Sequence, residues 1–167
     1  HIAGNRFSLG EPEGSESDRL KFISEILKKA GFRAPIQKNI RDEIWLKLIG
    51  NLSFNPISAL TGATLEQICN DQGTEAIVRA MMTEAKIIAE ELGAKINMSI
   101  EKRIEGARKV GAHKTSMLQD IEAGKPIEID SIIIAVKELG ELTCSPTPYI
   151  DTILNLTLQK AKLIGCL

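Results

Sequence analysis

Apolar residues recur at three- and four-residue intervals in one stretch after another of this chain, and no other feature constrains the fold as much. Leu20, Ile23, Leu27 and Ala30 form the first set, behind a capping signature at Ser15 and Asp18 and ahead of Gly31, which suits a helix C′ position. Asn39 can cap a second helix with Ile40, Ile44, Leu48 and Leu52 on its apolar face. Residues 57–61 and 64–69 read as short helical turns. Thr74 opens a long helix through Ile77, Met81, Ala85, Ile88 and Leu92, closed by Gly93. Ser99 caps another, with Ile100, Ile104 and Ala107, ending near Gly111. A short helix over 116–123 exits at Gly124 and Pro126. Ile129, Ile132, Ile133, Val136 and Leu139 mark the next, with Gly140 at its end, and a rigid loop over 144–148 leads into a last helix carrying Ile150, Ile153, Leu154, Leu158 and Ala161. The expected fold is mainly α: a bundle of roughly seven helices.

The front of the chain reads differently. Ile2 and then Arg6, Phe7, Ser8 and Leu9 alternate as strand, residues 10–14 form a turn-rich break, and residues 32–37, with Pro35, read as extended. A two-strand piece is marginal alone. Starting at His1 directly in such a segment, the chain is expected to open with the tail of a larger domain.

At 167 residues there is length for one domain with a real core, and 43% hydrophobic with 26% charged residues is ordinary for a globular protein. A formal net charge of -1 gives no argument for nucleic acid or for an anionic membrane surface, and neither is expected as a partner. No apolar run approaches a membrane span, and no signal peptide opens the chain. Cys69, Cys144 and Cys166 are scattered without metal-ligand spacing and suit a reducing compartment, so a cytoplasmic protein without a metal is expected.

Lys47, Asn51 and Asn55 stand at intervals of four in a segment that is otherwise largely apolar. At about 100° per residue the three share one stripe of a helix, ~12 Å long at about 1.5 Å rise per residue. Burying an ammonium and two amides is costly unless partners are found, and a ligand's oxygens would supply them. Pro56 predicts a kink or break at Asn55. In a second polar cluster, residues 114–130, Ser116 stands at a helix start, where exposed amides suit an anion, and Glu128 opens the following helix. His113, Asp120 and Asp130 read as loop, surface or capping residues.

Together these clusters resemble the C-terminal domain of the ketopantoate reductase (2-dehydropantoate 2-reductase) family, on Trp45-x-Lys47-Leu48-x-x-Asn51-x-x-x-Asn55-Pro56 and on Ser116-Met117-Leu118-Gln119-Asp120 followed by Glu128-Ile129-Asp130. The resemblance covers nearly the whole chain. It implies a bundle like the C-terminal domain of 6-phosphogluconate dehydrogenase-like reductases over residues 15–167, with residues 1–14 as the remnant of a nucleotide-binding Rossmann domain. It further implies reduction of a small 2-oxo acid by NADPH in pantothenate biosynthesis, with Lys47 as proton donor to the carbonyl. Asn51 and Asn55 would hold the substrate, Ser116 its carboxylate end, and Glu128 the cofactor. The chemistry is coherent: hydride arrival places negative charge on the carbonyl oxygen, which a fixed ammonium stabilises and can protonate. Partial desolvation makes a lysine a stronger acid.

There is no Gly-x-Gly-x-x-Gly, so the cofactor's phosphate site is expected on a separate Rossmann domain and the chain alone is expected to be inactive. Gly50, Ser53, Phe54 and the 61–64 loop are expected to shape the pocket without disclosing the substrate. A related dehydrogenase for another small 2-oxo acid stands as the alternative, as does a non-catalytic helical dimerisation module; a homodimer is left open.

Overall fold

A computed structural model describes residues 4–167; Ile2 of the expected strand lies outside them. The described chain divides into two compact units, one ending at Trp45 and the other running from Leu46 to Leu167.

In the first unit the extended segments pair as isolated parallel bridges, Arg6 with Arg33 and Leu9 with Ile36. Backbone N–H groups of Phe7 and Leu9 donate to the carbonyls of Arg33 and Pro35 at 2.8 and 3.0 Å. Parallel segments need a crossover, which α1 (Asp18–Lys29) supplies. Ser17, not Ser15, caps α1 by accepting from the Leu20 N–H, while the Ser15 hydroxyl donates to Glu13. Gly31 follows the helix with φ +88°, the left-handed geometry expected of it. Glu11 is buried beneath the N-terminus of α1, where its carboxylate accepts from the Ser17 hydroxyl and, at 2.6 Å, from the Arg19 guanidinium.

Helix α2 (Ile40–Thr61) contains Pro56 and runs unbroken through it, so the break expected at Asn55 is absent and residues 57–61 are its continuation. Burial explains this. Every residue from 52 to 59 is buried, so packing holds the turns on both sides of the ring despite the missing N–H. The expected apolar face is also shifted: Ile44 is exposed, and Trp45, Ile49 and Leu52 are the buried residues.

The second unit is otherwise α3 (Leu65–Asn70), α4 (Gln72–Glu91), α5 (Ile100–Val110), α6 (Ser116–Glu122), α7 (Ala135–Leu142) and α8 (Pro148–Ile164). A π-helical turn, Asp130–Ile134, precedes α7 where a plain α-helix was expected. The fold is therefore mainly α, with eight α-helices among the described residues. No helix among those residues is long and apolar enough to cross a membrane. Helix α4 is the hub, packing against α3, α5, α7 and α8 and burying Val78, Met81, Met82, Ala85, Ile88 and Ala89. Asp71, rather than Thr74, caps it. Gly140 lies inside α7, not at its end. It permits a close crossing, since a Cβ there would stand 2.8 Å from Thr147 Cγ2.

Two long-range contacts complete helix ends. Thr147 makes no side-chain cap at α8, and Glu84 of α4 takes that role: its buried carboxylate accepts the N–H groups of Tyr149 and Ile150, each at 2.9 Å. Lys160 of α8 donates to the carbonyls of Ala59 and Leu60, at 2.5 and 3.0 Å, at the C-terminus of α2.

Two predictions follow from these contacts. Glu84→Ala strands two backbone donors and should cost about 3 kcal/mol in urea unfolding, with Glu84→Gln losing roughly half as much. The Glu11 carboxyl is held below its usual range, chiefly by the Ser17 hydroxyl and then by Arg19. A depressed folded-state pKa stabilises the fold above the unfolded value, about 4.3 for glutamate, and that contribution disappears as pH falls through the folded value. Below about pH 4 the wild-type urea midpoint should therefore drop more steeply than that of Glu11→Gln.

Candidate functional site

Helix α2 presents Lys47, Asn51 and Asn55 to an open cleft of about 580 Å³, within the range of small-ligand sites. Ser116 and Glu128 line the same cleft, so all five candidate residues come together. Helix α5 supplies the facing wall through Arg103, Gly106, Ala107 and Val110, and Leu65, His113 and Thr115 complete it.

The stripe on α2 is not uniformly buried, as the sequence suggested. Lys47 is exposed, Asn51 half-buried, and Asn55 only 5% exposed. Hydrogen bonding separates Asn55 from its neighbours. Ser53 and Ser58, both fully buried, donate to the Ile49 and Ala63 carbonyls. The buried Asn55 Nδ2 donates to nothing among the described residues.

Ser116 is the first residue of α6, and the cap before it is Thr115, whose hydroxyl accepts from the Leu118 N–H. The Ser116 hydroxyl is thus free of capping duty and exposed at the cleft. Glu128 lies on the connector ahead of the π-helical turn. That connector is fixed by the Ile127 N–H donating to the Cys166 carbonyl at 3.0 Å, and the Glu128 carboxylate is exposed.

Sequence reasoning missed Arg103. Its Nε is buried without a hydrogen-bond partner, and burial without a compensating charge pushes its pKa down. The guanidinium packs onto Gly50: a Cβ at residue 50 would stand 2.0 Å from Nη2 and 2.8 Å from Cζ. The available signal was its helical position, between Ile100 and Ala107 on the apolar side of α5. His113, read as a loop residue, also borders the cleft. Gly50 and Phe54 line it as expected, whereas Ser53 and residues 61–64 do not. Chemically the cleft offers two cations, two primary amides, two hydroxyls, an imidazole and one carboxylate around a small volume. That set suits an anionic, oxygen-rich metabolite.

The sequence profile of the family described as "Ketopantoate reductase PanE/ApbA C terminal" matches residues 39–161. The 2-dehydropantoate 2-reductase of Mesorhizobium japonicum is 54% identical over 166 residues, covering 99% of this chain and 51% of that protein. A candidate ketopantoate reductase from Ralstonia solanacearum superposes with a TM-score of 0.95 at 42% identity, over 100% of this chain and 51% of that one. The 2-dehydropantoate 2-reductase of Methylococcus capsulatus does so with a TM-score of 0.92 at 31% identity, over 99% and 57%. The chain thus spans about half the length of the relatives it matches.

An unpartnered buried amide weakens the ligand-free fold. Asn55→Leu, of similar size, should raise stability by about 1 kcal/mol in thermal or urea unfolding while removing a donor from the cleft.

Proposed function

The chain belongs to the ketopantoate reductase family, as its C-terminal helical domain, and from that premise we propose that it is the substrate half of an NADPH-dependent reductase converting 2-dehydropantoate to pantoate in the cytoplasm. The observation that carries this reading is the convergence of Lys47, Asn51, Asn55, Ser116 and Glu128 on one cleft.

In this reading the Lys47 ammonium faces the 2-oxo carbonyl oxygen, stabilises the charge developing there and delivers the proton. The amides of Asn51 and Asn55 donate to substrate oxygens without adding charge. The free hydroxyl of Ser116 binds the carboxylate end. The cofactor, when bound, supplies the hydride. Among this chain's residues Glu128 fits it, since an exposed carboxylate without a partner among the described residues suits ribose hydroxyl donors.

We assign residues 1–14 to the end of a Rossmann domain and 15–167 to the substrate domain. The principal partner is then the protein's own nucleotide-binding half, without which the chain is inactive. The cytoplasmic assignment is supported by the free, exposed thiol of Cys144, which suits a reducing compartment.

The test is NADPH oxidation by the full-length protein against a panel of 2-oxo acids. Turnover should be highest with 2-dehydropantoate, and Lys47→Ala should lower kcat at least about 10²-fold. Near-wild-type turnover by the variant would remove Lys47 from its role. Preference for a different oxo acid would reassign the substrate, and no turnover of any would overturn the reductase reading.

A further inference from the structure

Arg103 is the charged group of the cleft that the roles above leave unused. Half-buried, it lines a small apolar pocket with Ile49, Met82, Ile96 and Met98, and its guanidinium lies over Gly50 at the cleft. Among the described residues it takes part in no ion pair or hydrogen bond, and Nε is sealed from water as well. Its Nε has given up hydration for no partner among the described residues. Its planar fork matches a carboxylate bidentately. Location narrows the occupant. Gly50 lies one turn along α2 from Lys47, a rise of about 4.5 Å, and next to Asn51. A group over Gly50 is therefore placed beside the carbonyl that Lys47 addresses, where the carboxylate of a 2-oxo acid must lie.

We propose that Arg103 supplies the countercharge for the substrate's carboxylate, and that Gly50 is glycine to seat it. Ser116 then adds a neutral hydrogen bond to the same group. This rests on reading the cleft as a 2-oxo acid site, and it makes Arg103 the residue that separates acids from uncharged carbonyl compounds.

The experiment measures kcat and KM of the full-length protein for 2-dehydropantoate and for its carboxamide, with wild type, Arg103→Met, Arg103→Lys and Gly50→Ala. Wild type should prefer the acid strongly. Arg103→Met should raise KM for the acid about 10²-fold, leave the amide nearly unchanged and leave KM for NADPH unchanged. Arg103→Lys should recover part of the loss. Gly50→Ala should displace the guanidinium and reproduce the defect, the helix preference of alanine over glycine, up to about 1 kcal/mol, offsetting part of the cost of that displacement. That variant keeps the test open if Arg103→Met fails to fold. An unchanged acid-over-amide preference in both Arg103→Met and Gly50→Ala would overturn the proposal, as would equal losses on acid and amide or a shift confined to NADPH. A wild type that reduces no 2-oxo acid would overturn the underlying reading as well.

Discussion

Over Leu52–Ala59 helix α2 has no solvent-facing side, and this enclosure governs what its polar groups can do. A buried donor must find an acceptor or weaken the fold. Ser53 and Ser58 turn to backbone carbonyls, and Lys160 covers carbonyls at the helix end. Asn55 Nδ2 finds no partner among the described residues. An acceptor brought into the cleft that Asn55 lines would supply one. The same logic applies across the cleft to Arg103, whose guanidinium occupies the room left by the absence of a side chain at Gly50.

Burial deepens along the stripe from Lys47 through Asn51 to Asn55. In the proposed role, an exposed lysine could exchange its proton with water between turnovers, while the amides deeper in would orient the substrate. Helix ends elsewhere are secured by partners distant in sequence, Glu84 at α8 and Lys160 at the C-terminus of α2, the helix that carries the stripe.

Much of the fold was legible because amphipathic helices announce themselves by period, as the first and fifth do with Leu20 and Ile104. Helix α2 defeated that signal where it is enclosed, since a helix buried on all sides has no polar face to set the phase. Ile44, ahead of that enclosed stretch, was placed one position from the buried Trp45, and Pro56 suggested an end because its missing N–H is visible in the sequence and the packing around it is not. Caps slipped at Ser17 and Asp71 because each has another capping-type residue close by. In the site, the regular spacing of Lys47, Asn51 and Asn55 was readable directly, whereas Ser116 and Glu128 gained roles only through resemblance to a family. Arg103 was hidden in a helix rich in surface charge. Its distinction comes from Gly50, far away in the sequence, and only the folded chain brings the two together.

The central claim is that the cleft's unsatisfied donors are completed by a ligand. A crystal structure of the full-length protein bound to a 2-oxo acid and the oxidised cofactor tests it most directly. The account predicts ligand oxygens within about 2.7–3.2 Å of Asn55 Nδ2 and of the Arg103 guanidinium, with the carboxylate over Gly50. A ligand bound in a position that leaves both groups unpaired would contradict it.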